Sequence, residues 1–141
     1  MSVIFLPIKP VFVDRILCGA KRFEYRKQIP AKGLDNIIIY SSYPCKKIVG
    51  FAKVESVISG SSEYVWQLTR DASGIQKSRF DDYFKNSSIA YAYELKDVMK
   101  LHKGISPSSI FDDFSIPQSF RYVEEKAFSL IKSLSCDCVE A

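Results

Sequence analysis

Lys21, Glu24 and Arg26 lie close together in the stretch Gly19-Ala20-Lys21-Arg22-Phe23-Glu24-Tyr25-Arg26. A guanidinium grips a phosphate or a base edge with its planar fork, and a lysine ammonium acts as a mobile point charge. A carboxylate beside them can accept a proton from a hydroxyl. Two cations and a carboxylate next to a tight turn therefore suit an anionic or polar ligand. They also pair a potential general base with cations that can stabilise developing negative charge. The same three residues make an equally good inert network on a strand surface, each exposed pair contributing about 0–1 kcal/mol.

A helix, a turn and a strand must position this cluster. Val3 to Ile8 is a short apolar run consistent with a buried strand. Pro10 suits the first turn of a helix, where its missing N–H costs nothing. Phe12, Val13, Ile16 and Leu17 recur at helical spacing, and Gly19 supplies the left-handed stop. Residues 22–27 alternate, with Phe23 and Tyr25 facing inward and Arg22, Glu24 and Arg26 on the opposite side.

Pro30 to Gly33 reads as a turn, Asn36 to Tyr40 as a β-branched strand and Ser41 to Pro44 as a loop. Lys47 to Ile58 predicts a long strand with a bulge or bend at Gly50. Helices follow, one carrying Tyr64, Val65, Trp66 and Leu68 and one near Gln76 to Lys85. Phe80, Tyr83 and Phe84 of the second read as core, as does Trp66. Ile89 to Leu95 alternates as a strand, 104–115 is loop-like, and Pro117 opens a C-terminal helix near 117–134. Elements in this irregular order do not fit a doubly wound parallel sheet. The expected class is α+β: a small mixed β-barrel with flanking helices.

The chain has 141 residues, enough for one domain over 1–141 with a core of its own, and no apolar run reaches the roughly 20 residues that span a bilayer. Met1 to Pro7 lacks the basic lead of a signal peptide, which makes the cytoplasm the expected location, with no membrane partner. Net charge is +4, yet residues 1–54 hold ten Lys/Arg against Asp14, Glu24 and Asp35, an excess of +7 that leaves −3 for the remainder. Such a basic half is the footprint of a phosphate-binding face, or of a solvated lysine-rich surface. Cys18, Cys45, Cys136 and Cys138 form no CxxC pair and His102 is the lone histidine, so no metal or other cofactor is assigned. Cys18 reads as a buried thiol, Cys136 and Cys138 as reduced thiols in a frayed tail, and His102 as exposed.

Ile8-Lys9-Pro10, Gly19-x-Lys21-x-x-Glu24-x-Arg26, Tyr40-Ser41-Ser42-Tyr43-Pro44 and Ile48-Val49-Gly50-Phe51, in this order, resemble the ASCH domain (activating signal cointegrator homology). The likeness covers roughly residues 3–101, and Pro117 to Tyr122 looks like a C-terminal element of some members. It implies a PUA-like barrel that binds RNA or a nucleotide in a cleft beside it. Lys9, Lys21, Glu24, Arg26, Tyr40, Ser41, Ser42 and Arg121 are the candidate ligand-binding residues, with Tyr43 and Tyr122 as further stacking candidates.

One branch of the family resembles amidohydrolases acting on N4-acetylcytidine, which pair a lysine with a threonine three residues on and a distant glutamate. Lys21 matches the lysine, but Glu24 stands where the threonine would be, and a carboxylate has no proton to lose. Glu63 and Glu94 are the candidates for the glutamate. If the protein is an enzyme, Lys21 and Glu24 are its expected catalytic pair, acting on RNA or a modified nucleoside. A third reading is a protein-interaction module in transcriptional regulation, with a protein partner in place of RNA.

Overall fold

The computed structural model describes the backbone of residues 1–139 and the side chains of residues 1–134. The side chains of Cys136 and Cys138 thus lie outside the described residues. Six strands form one sheet: β1 (Val3–Ile8), β2 (Phe23–Arg26), β3 (Asn36–Ser41), β4 (Lys47–Gly60), β5 (Ala90–Ile105) and β6 (Arg121–Val123). Their order is β2-β5-β4-β3-β1-β6, with β1 parallel to β3 and the other pairs antiparallel. Four helices join them: α1 (Pro10–Leu17), α2 (Ser62–Thr69), α3 (Lys77–Phe84) and α4 (Glu125–Val139). None of the described helices is long and apolar enough to cross a membrane.

The mixed α+β class is as expected, but closure into a barrel is not seen: no ladder joins β2 to β6 among the described residues. These edge strands have four and three residues, too few for an extended seam. Arg26, on one edge, instead reaches across with its guanidinium, donating to the carbonyls of Pro7 (2.8 Å) and Ser119 (3.4 Å).

β1 and β3 are buried on both faces, which explains their unbroken apolar sequences. Period-two alternation sends Ile4, Leu6, Ile8, Ile37 and Ile39 to a core shared with Val13 and Ile16 of α1. Val3, Phe5, Ile38 and Tyr40 face the other way, to a core closed by Phe128 and Ile131 of α4. A third cluster joins Phe23 and Tyr25 of β2 to Val65, Phe80 and Phe84 of α2 and α3.

Two elements depart from the sequence reading. β5 continues ten residues past Leu95, because Asp97 adopts φ 51° and the register with β4 shifts nearby, resetting the alternation. The C-terminal helix starts at Glu125, not Pro117, since residues 121–123 are drawn into pairing with β1. Gly50 marks a register shift, as anticipated; a Cβ there would meet the Met99 carbonyl at 2.5 Å.

Candidate active site

Gly19, at φ 89°, ends α1 and turns the chain so that the Lys21 N–H donates to the Arg15 carbonyl and the Arg22 N–H to that of Ala72. This pins Lys21 under the segment that precedes α3. Its Nζ donates to the Ser73 carbonyl (3.0 Å), lies 4.0 Å from Glu24 Oε1 and sits over the Tyr25 ring at 4.6 Å. Arg26 places Nε (2.9 Å) and Nη2 (2.7 Å) on Glu24 Oε2. Oε1 accepts no hydrogen bond among the described residues, and Glu24 lines an open pocket.

The side chains of Lys21 and Glu24 are only 2% and 8% exposed, so this is no surface network. Burial pushes the Lys21 ammonium down to about 8; Glu24 opposes the shift, while Arg15 and Arg26 add to it. Tyr25 moves the other way: burial raises its phenol to about 12, against the pull of its hydrogen bond to Thr69 Oγ1 (2.7 Å).

Lys21, Glu24 and Arg26 floor a cavity of about 240 Å³. Lys9 from the end of β1, Phe12 from α1, and Arg79 and Tyr83 from α3 complete its rim. Lys9 and Arg79 pair with no carboxylate among the described residues, and Arg79 lies over the Phe12 ring at 5.2 Å. Arg79, Tyr83 and Phe12 were not singled out by sequence as site residues. Tyr83 was assigned to the core, yet it is 40% exposed. One signal was present: Arg79 and Tyr83 are four residues apart and so share a helical stripe beside the buried Phe80 and Phe84.

The remaining candidates lie elsewhere. Tyr40 is in the core against Phe5, with ring centroids 5.1 Å apart. Ser41 opens on a separate pocket between α1 and β5, whereas the backbone N–H of Ser42 donates to the Ile8 carbonyl (2.9 Å). Arg121 lies over Phe114 (4.4 Å) in a groove beside α4, and Tyr122 receives the Lys32 N–H (2.6 Å). Of the glutamates considered for hydrolysis, Glu94 accepts from Ser56 (2.7 Å) and Glu63 is exposed in the first turn of α2. Cys18, expected to be buried, is exposed because α1 ends there and turns away from the core. His102 is exposed, and Trp66 is half-buried against Phe80.

Gly74 is the most constrained position missed by sequence. It adopts φ 68°, its carbonyl accepts from Arg15 Nη1 (2.7 Å), and a Cβ there would lie 2.3 Å from Lys21 Cβ. Gly74→Ala is expected to lose about 1–2 kcal/mol from the left-handed backbone alone, with the steric clash adding to it. The urea midpoint should fall with an unchanged denaturant slope. An unaltered midpoint would show that this loop yields freely.

The family described as "Domain of unknown function (DUF365)" matches residues 1–125. The chain belongs to this family. Its likeness to ASCH domains also holds. An ASCH domain-containing ribonuclease of Zymomonas mobilis is 29% identical over 133 residues, spanning 89% of this chain and 87% of its own. The crystal structure of ASCH from Zymomonas mobilis superposes with a TM-score of 0.85 at 26% identity, covering 94% of this chain and 95% of that one. The N-terminal domain of Staphylothermus marinus McrB shares the fold alone, with a TM-score of 0.61 and 14% identity over 93% of each chain.

Proposed function

We propose that this member of the family binds single-stranded RNA at the Lys21–Glu24–Arg26 pocket and cleaves it by transesterification. The observation that carries this reading is a buried Lys–Glu–Arg floor beneath two rim cations without carboxylate partners. The Zymomonas mobilis relative, named a ribonuclease, supports the substrate class. Lys9 and Arg79 hold the phosphates, while Phe12 and Tyr83 offer ring faces to an unpaired base. Glu24 Oε1 takes the proton of the 2′-OH, whose oxygen attacks phosphorus. Lys21 gives its proton to the departing 5′-oxygen, leaving a 2′,3′-cyclic phosphate and a 5′-hydroxyl.

A second reading, RNA binding without turnover, rests on Arg26. Its fork is engaged by the Glu24 carboxylate and the carbonyls of Pro7 and Ser119. One experiment separates the two: titrate labelled single-stranded RNA at several salt concentrations, then analyse the recovered RNA. Lys9→Ala/Arg79→Ala should weaken binding and flatten the salt slope by about 1.4, from two phosphate contacts at roughly 0.7 each. An unchanged slope would sink the site assignment. Intact RNA after long incubation would sink cleavage and leave the binding module.

A further inference from the structure

On the other side of α1 lies a second cavity, of about 490 Å³, between α1, the end of β3 and the distal half of β5. Period-two alternation puts Ser41 on the face of Ile37 and Ile39, toward α1, and Val13 and Leu17 line the same cavity. The residue is only 4% exposed, yet its hydroxyl makes no hydrogen bond among the described residues. Its oxygen is not sealed in the core, so a water or a ligand group in an adjoining space can supply the missing partner. In this case it borders a cavity. Asp14 lies on the same side, and Lys100 and His102 face them from β5. Lys100 pairs with no carboxylate among the described residues.

The two cavities are neighbours. Ser41 pairs in register with Ile8, which lines the first cavity, and adjacent strands run about 4.8 Å apart. The loop after Ser41 is tied to the same point, since the Ser42 N–H donates to the Ile8 carbonyl. A strand seated at Lys9 can therefore pass the start of α1 and reach the second cavity without leaving the surface. Val13, Leu17 and Val49 give this cavity apolar walls, Asp14 and Ser41 an acceptor and a hydroxyl for a base edge, and Lys100 a cation for phosphate.

We propose that this second cavity is a subsite for the nucleotide adjacent to the one held in the first, read by Ser41 and Asp14 and anchored by Lys100. This rests on RNA occupying the first pocket. The protein then prefers RNA of two or more nucleotides over a mononucleotide, and part of its sequence preference lies away from the reacting phosphate.

The test compares the full chain's affinity for a 5′-mononucleotide and for a dinucleotide whose 2′-hydroxyl is methylated to block turnover. The dinucleotide should bind about tenfold more tightly. Ser41→Ala should remove roughly five- to tenfold from the dinucleotide alone, the effect of one hydrogen bond, and Lys100→Ala should act in the same direction. Cys18 and Cys45 are exposed thiols lining the cavity, which gives a reporter independent of affinity. Iodoacetamide followed by peptide mapping should find Cys45 protected by the dinucleotide and not by the mononucleotide. Equal affinities, equal losses on both ligands in Ser41→Ala, or alkylation indifferent to the dinucleotide would each overturn the subsite. If Arg79→Ala leaves mononucleotide binding intact, the first-pocket reading fails and the subsite with it. That outcome differs from loss of the Ser41 effect alone.

Discussion

Replacing Glu24 by alanine should lower the unfolding free energy by about 3–5 kcal/mol at pH 6.5, the cost of leaving a buried pair with one partner missing. Lys21 and Arg26 both face this carboxylate, and the side chains of Lys21 and Glu24 are nearly sealed from water. The loss should shrink with pH, because Lys21 can shed its proton. Its folded-state value of about 8 lies below the ordinary 10.5, so between those limits the unfolded chain holds more protons. Stability from this group therefore rises with pH across that interval. Tyr25 has the opposite sign: held up to about 12, it contributes stability that is lost as pH climbs from 10 to 12. Urea unfolding of wild type and Glu24→Ala at pH 6.5 and 9.5 checks the lysine effect, and a wild-type series from pH 10 to 12 checks the tyrosine. A loss below about 1 kcal/mol at both pH values would mean that the carboxylate does not compensate these cations.

Lys21→Met should abolish most RNA cleavage, by about 10²–10⁴-fold in kcat, while leaving RNA affinity close to that of the wild type. Methionine keeps the unbranched stem, and Glu24 retains its fork to Arg26. The phosphate grip is assigned to Lys9 and Arg79, which the change does not touch. The wild-type rate should also fall as pH passes about 8, because a lysine acting as proton donor must be protonated. Single-turnover assays across pH, with KM and kcat resolved, test this. Loss of affinity with kcat preserved would make Lys21 a binding group and remove it from the chemistry.

Several parts of this site were legible in the sequence because they depend on local order. Pro10 and Gly19 bracket α1, and the alternation of Phe23 and Tyr25 with Glu24 and Arg26 set which side chains travel together. What alternation could not supply was the cover. Lys21 is buried by a carbonyl 52 residues away, and Arg79 arrives on a helix whose aromatic residues dominate its pattern. Tyr83 departs from the core reading for the same reason: at three residues from Phe80 it sits at the edge of the buried stripe. Tyr40 and Ser41 illustrate the converse. They are consecutive, so a strand must send them to opposite faces, and no single ligand-facing surface holds both side chains.

The reach of Arg26 from one sheet edge to Pro7 and Ser119 ties the integrity of the fold to the pocket floor. Selection to keep the protein folded preserves Glu24 and Arg26 whether or not RNA is ever cut. A descendant without the proposed activity would carry them still, and finding the pair in a related sequence is a statement about ancestry and architecture. Lys9 and Arg79 carry no such obligation. Drift would erase the rim first, so under the proposed cleavage relatives that lack the rim cations should leave RNA intact.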